Sequence, residues 1–180
     1  MSTRGENMSK RKGTKRKAGK RGETGGPDEL YTLSVYIVGG PLPKRFEGKK
    51  ISRTIQILGS QTLEDLHEAI FRAYKRWESH LYDFLFWKGP QKRAGGYDLH
   101  RPDLRIGTGG GSSRDPARTT LRSLWLKEKQ TFAYRFDYGD DWIHRIDVDA
   151  VDDHFGGGTY PKTIARSGGN PPQYPDDEEE

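Results

Sequence analysis

The sequence predicts an α+β fold: a mixed β-sheet, ordered β-β-α-β-loop-β-β along the chain, with one main amphipathic helix packed on it, loosely like a β-grasp. Three observations predict it. Apolar residues alternate with period two in "LYTLSVYIV" and "ISRTIQIL". They move to helical spacing in "TLEDLHEAIFRAYKRW" and return to alternation in "TFAYRFDYGDDWIHRIDV".

Each element has its own signal. In Leu30 to Val38 the residues Tyr31, Leu33, Val35 and Ile37 fall on one face. "GGPLPKRFEGKK" reads as a long turn, and Ile51 to Leu58 alternates again, so the two runs form a strand-turn-strand unit. Thr62 is an N-cap with Asp65 three positions on, which makes a capping box and places an acid at the positive end of the helix. Leu63, Leu66, Ile70, Tyr74 and Trp77 then build one apolar stripe, while Glu64, Glu68, Arg72 and Lys75 occupy the other face. His80 to Trp87 is apolar enough for a buried strand. Lys88 to Arg118, with "GTGGGSS" inside it, reads as a flexible glycine-rich loop longer than compact domains ordinarily tolerate. "TTLRSLWL" is a short helical link, followed by strands Thr131 to Tyr138 and Trp142 to Val151.

Charge divides the chain into three blocks. Residues 1–22 carry nine Lys/Arg against one Glu, a net of +8, and hold no apolar residues able to anchor them. Segment 1–28 is therefore expected to be a disordered basic arm. The domain is 29–175; residues 23–175 carry 22 basic and 20 acidic residues, a net of +2, and 176–180, "DDEEE", is an acidic tail. A basic arm attracts polyanions, which makes Lys10, Arg11, Lys12, Lys15, Arg16, Lys17, Lys20 and Arg21 the candidate nucleic-acid contacts. The absence of cysteine excludes disulfides, thiolate metal sites and cysteine nucleophiles. No apolar run reaches the ~18–20 residues of a membrane span. The basic start has no apolar segment behind it to make a secretory signal. The expectation is a soluble cytoplasmic protein with no membrane partner and a protein partner left unknown.

Hairpin register governs the reading of "FDYGDDWIHRIDV". A three-residue loop, Gly139–Asp140–Asp141, pairs Tyr138 with Trp142, Phe136 with His144 and Tyr134 with Ile146, and keeps the rings on one face. Gly139 then supplies a positive-φ position. Asp137 falls on the face opposite the aromatics, diagonal to Arg145. His144 alone intrudes among the apolar residues. It is either a packed histidine with one nitrogen bonded to backbone or to a tyrosine hydroxyl, or a ligand or proton carrier assisted by Asp140 or Asp141. The two aspartates are either turn formers or metal ligands. His67 and His80 are positioned to converge with His144 as a nitrogen-ligand set for a divalent transition metal, although their spacing matches no short metal motif.

"TLEDLHEAIFRAY", "HLYDFLF", "FAYRFDYGDDWIHRIDV" and "YPKTIARSGGNPPQYP" together resemble the plasmid pRiA4b ORF-3-like family over roughly residues 30–175. The resemblance implies a fold peculiar to the family and association with mobile elements, as an insertion-element passenger or TnpR-like protein. It implies no particular reaction. It carries over Asp137, Gly139, Asp140, Asp141, Trp142 and His144 on the hairpin. Leu66 and His67 on the helix, His80 and Leu81 at the strand start, Tyr160-Pro161 and Pro171-Pro172 are carried over too. Many members end in a cysteine-containing segment where this chain has "GGNPPQYPDD", so a cysteine role does not transfer.

Two functional classes follow from the sequence. One is a non-enzymatic binding or accessory module whose arm engages nucleic acid, with neither cofactor nor catalytic residue. The other is a metal-dependent hydrolase or nuclease centred on His144, with Asp140, Asp141, His67 and His80 in support. A protein-binding module using a sheet edge is a third possibility.

Overall fold

The alternating run from Leu30 to Val38 lies inside a longer strand, β1 (Asp28–Gly39), in the computed structural model of the protein, which describes residues 28–88, 99, 101–154 and 157–175. The expected arm, Lys10 to Arg21, and the tail 176–180 lie outside the described residues. Asp28, assigned to the arm from sequence, begins the first strand. After β1 come β2 (Ser52–Leu58), α1 (Leu63–Ala73), β3 (Tyr82–Phe86), β4 (Leu104–Gly107), β5 (Thr131–Phe136), β6 (Trp142–His154) and β7 (Lys162–Ser167). They form one seven-stranded sheet ordered β4-β3-β5-β6-β1-β2-β7.

Every pair of these strands is antiparallel, which corrects the expected mixed sheet. The last strand of the expected order, β6, returns beside β1 in the opposite sense and makes the long central pair. Two strands were missed. β4 sits inside the stretch expected to be one flexible loop, and the short 3-10 turn Pro116–Arg118 interrupts that stretch again. β7 follows β6 at the far edge.

Tyr31, Leu33, Val35 and Ile37 of β1 are buried together with Ile55, Ile57, Phe84, Phe132, Tyr134, Phe136, Trp142 and Ile146. The apolar stripe of α1, Leu63, Leu66 and Ile70, closes this layer. Each fully buried aliphatic or aromatic side chain contributes about 1.5–3 kcal/mol, so this face holds the fold. The capping box forms as expected: the Asp65 amide donates to Thr62 Oγ1 at 3.1 Å and the Thr62 amide to Asp65 Oδ2 at 2.7 Å.

The helix stops earlier than its stripe suggests. Tyr74 is the C-cap, Lys75 adopts φ 56°, and the Lys75 and Arg76 amides donate back to Arg72 O and Phe71 O, a Schellman closure. Trp77 is therefore not a core residue but lies 61% exposed. Arg53, on the core-facing side of β2, replaces apolar packing with a clamp. Its guanidinium donates to Ala73 O, Ser52 O, Ser167 O, Gly169 O and Asn170 Oδ1, tying the helix end, β2 and β7 together. A buried charge satisfied at every donor is tolerated.

The β5–β6 hairpin pairs Phe136 with Trp142, Tyr134 with His144 and Phe132 with Ile146. The expected register is thus displaced by two residues, and the loop runs from Asp137 to Asp141. Because side chains alternate with period two, a slip of two leaves every ring on the expected face. The positive-φ positions belong to Asp137 (60°) and Asp141 (53°), not to Gly139. Aspartate enters the left-handed region more readily than most residues, and the Asp141 amide donates to Asp137 O at 2.7 Å to close the turn. Asp137 accordingly does not sit beside Arg145, which pairs with Asp147 instead.

Candidate functional site

The N-terminal half of α1 carries Glu64, His67 and Glu68 toward the segment that enters β3. Between them runs a groove of about 510 Å³, lined also by Ser79, His80, Leu81, Tyr82 and Thr108. His67 forms the buried wall. Its ring stacks on Tyr82 with centroids 3.7 Å apart and planes 2° from parallel, and its Nδ1 lies 2.6 Å from the Tyr134 hydroxyl. Burial lowers the His67 pKa to about 4, so the ring is neutral at neutral pH. Burial also raises the Tyr134 phenol well above its ordinary range, which keeps it a proton donor.

His80 forms the open end. Its Nε2 lies 2.6 Å from the Tyr174 hydroxyl and 3.5 Å from Asp137 Oδ2. The other oxygen of Asp137 accepts the Gly139 amide at 3.0 Å, an Asx turn that fixes the carboxylate. Tyr174 meets Trp77 edge-on at 5.6 Å, and with Leu81 these rings leave an exposed apolar rim beside the groove. Gln173, fully buried, sets this rim. Its Oε1 accepts the Trp77 and Glu78 amides at 3.0 and 3.2 Å, and its Nε2 donates to Glu78 O at 2.9 Å.

His144 lies one layer deeper. It is 1% exposed, tilted against Tyr74 and Tyr134 at about 5.2 and 5.3 Å, and neither ring nitrogen meets a partner in hydrogen-bonding geometry. Burial first, and then the Arg76 charge, lower its pKa to about 3, tempered by nearby backbone of Tyr134 and Trp142. Arg76 is itself buried, stacked 3.7 Å over the Trp142 ring, with its Nη1 donating to Pro171 O at 3.4 Å. Burial lowers its pKa to about 10, while Tyr134, Tyr74 and Asp140 act in the opposite direction.

The sequence candidates therefore do not meet at one point. His67 and His80 share the groove, His144 is sealed in the core, and Asp140 is among the groups that favour the charge on Arg76. Asp141 accepts Arg135 Nε and Nη2, both at 2.5 Å. Among the described residues, no three histidines and acids gather closely enough to hold a metal ion. The contacts of Asp137 and Tyr174 with His80, and of Gln173 with the Trp77 and Glu78 backbone, join residues far apart along the chain, and no short-range spacing signals them.

A second groove, about 600 Å³, lies where β1 begins and is lined by Glu29, Thr120, Arg122, Ser123, Trp125 and Asp153. Trp125 is 82% exposed and stands at φ 53°, ψ 37°, a left-handed position costly for a bulky residue. The Arg122 guanidinium bonds the Asp28 carboxylate, and the Tyr31 hydroxyl donates to Glu29 Oε2 at 3.0 Å. No helix among the described residues is long and apolar enough to cross a membrane.

Residues 45–176 match the family model described as plasmid pRiA4b ORF-3-like protein. The fold is similar to the crystal structure of a protein of unknown function, MM3350 from Methanosarcina mazei Go1. The TM-score is 0.64 at 22% identity, over 82% of this chain and 74% of that one. At that identity the likeness speaks for the fold alone. No curated protein matches the chain.

Proposed function

The chain belongs to the plasmid pRiA4b ORF-3-like family, and from that premise we propose that it is a non-enzymatic binding module whose basic arm contacts nucleic acid. The observation that carries this reading is the segregation of charge. Nine Lys/Arg against one Glu are concentrated in residues 1–22, ahead of a nearly neutral domain. Such a segment neutralises phosphates and releases counterions without reading sequence. Two of the residues that suggested hydrolysis support the same reading, because they are engaged in holding the fold: Asp141 is held by Arg135, and His144 is enclosed by rings.

Deleting residues 1–22 leaves β1 intact and tests the proposal. Full-length protein should bind a random-sequence duplex. If the eight named side chains all reach phosphates, affinity should fall on the order of 10⁴-fold between ~50 and ~200 mM salt. The shortened protein should bind far more weakly, and equal affinity for the two proteins would refute the arm.

A further inference from the structure

The groove between α1 and the segment entering β3 holds a hydroxyl that nothing in the fold uses. Tyr82 lines this groove, is 5% exposed, and its buried phenol oxygen meets no hydrogen-bond partner among the described residues. A buried hydroxyl left unpaired costs stability, and most are satisfied. The Tyr82 ring lies flat against His67, which rises from the same face of α1 as Glu64 and Glu68. Burial first, and then the Glu64 and Glu68 charges, raise the Tyr82 pKa, so the hydroxyl keeps its proton and lies in the field of both acids. Both carboxylates line the groove, and the exposed ion pair of Glu68 with Arg72 at 3.4 Å holds weakly. His67 is neutral and adds no positive charge to the wall. At the mouth, Trp77, Leu81 and Tyr174 stand exposed.

We propose that this groove receives an arginine side chain of a partner protein, its guanidinium between Glu64 and Glu68 and against the Tyr82 hydroxyl. The class of ligand follows from the acceptors. Glu64 and Glu68, four positions apart on one helix face, have Cβ atoms about 5–6 Å apart, with the Tyr82 oxygen as a third acceptor beside them. Among the described residues, no three histidines and acids gather closely enough for a metal ion. A guanidinium is larger: its five N–H donors sit in a fixed planar fork that reaches separated acceptors at once, where a lysine ammonium is a compact point charge. The Tyr82 oxygen accepts one N–H and is no longer unpaired. The rim identifies the source as a polypeptide. Trp77, Leu81 and Tyr174 offer apolar surface next to the acids, which an apolar neighbour of the arginine covers and a free guanidinium compound leaves bare. This site belongs to the folded domain and does not rest on the arm's contact with nucleic acid.

The experiment titrates the full chain with acetyl-Gly-Leu-Arg-Leu-Gly-amide, with its counterparts carrying Lys or citrulline in place of Arg, and with acetyl-arginine amide. Nitrogen–proton correlation spectra follow the binding. The arginine peptide should give saturable shifts at the amides of Glu64 to Glu68 and Leu81 and at the Trp77 indole. It should bind about three-fold or more tighter than the lysine peptide. Against the citrulline peptide, which keeps the shape without the charge, the ratio should be about tenfold or more. Glu64→Gln with Glu68→Gln should weaken the arginine peptide about tenfold. Tyr82→Phe, which removes only the unpartnered hydroxyl, should weaken it about three- to ten-fold. Both variants should keep the resonances of β1, β2 and β7, which shows that they fold. Shifts that do not saturate, equal affinity for the arginine and citrulline peptides, or unchanged affinity in either variant overturns the site. A lysine peptide that binds as tightly as the arginine peptide overturns the guanidinium. Acetyl-arginine amide binding as tightly as the peptide overturns the polypeptide partner in favour of a small guanidinium compound.

Discussion

Acidifying the protein from pH 7 to pH 4.5 will weaken the fold through His144, by an amount that follows from its burial. In the unfolded chain its imidazole titrates near 6.5; in the folded chain the value is lowered to about 3. Between those values the unfolded state binds the proton and the native state does not. Stability is therefore complete above pH 6.5 and declines as pH falls toward 3, at about 1.4 kcal/mol per pH unit. At pH 4.5 the loss from His144 is about 2–3 kcal/mol. His67, lowered to about 4, adds a loss of similar size. Together they approach the total stability of a marginal domain, about 5 kcal/mol. His144→Leu removes the titration and also two buried nitrogens that make no well-formed hydrogen bond, so at pH 7 it should change stability by no more than about 1–2 kcal/mol. Urea unfolding followed by tryptophan fluorescence at pH 7, 5.5 and 4.5 measures the difference. The variant should lose about 2–3 kcal/mol less than the unaltered protein over this interval. Parallel losses in the two proteins would show that His144 is not held neutral by the core.

Three further changes probe other parts of the structure. Gln173→Ala removes a fully buried amide that holds the Trp77 and Glu78 backbone; it should cost about 2–4 kcal/mol and speed hydrogen exchange at those two amides, read by urea unfolding and exchange. Thr62→Ala deletes the hydroxyl half of the capping box and should cost about 1 kcal/mol in the same unfolding assay, without altering the sheet. Trp125→Gly relieves a left-handed backbone position while giving up little packing, and should raise stability by about 0.5–1 kcal/mol; a lowered melting temperature would contradict that.

Much of the fold was legible because one face is continuously buried. The alternation of Tyr31, Leu33, Val35 and Ile37, and of Phe132, Tyr134 and Phe136, identifies strands and the face they bury. The same parity made a hairpin slip of two residues invisible to pattern. Thr62 and Asp65 announce the helix start, whereas its end depends on Lys75 entering the left-handed region, where no glycine stands to signal it. β7 escaped because nearly all of "KTIARS" is exposed, so burial imposes no alternation on it. β4 escaped because four residues next to a glycine-rich stretch carry too little pattern. Within the groove, His67 and His80 were readable as chemistry-bearing residues. Their partners were not, because Tyr134, Asp137 and Tyr174 reach them only through the sheet and through the chain segment that Gln173 clamps.

The most direct test of the account is the salt dependence of duplex binding by the full-length protein and by its form with the eight arm cations changed to Gln. The account predicts that log K falls steeply with log salt for the full-length chain, with a slope of about −7 if all eight arm cations contact phosphate, and is nearly flat once those cations are removed. Equal slopes in the two proteins would place any nucleic-acid contact on the folded domain and contradict the central claim.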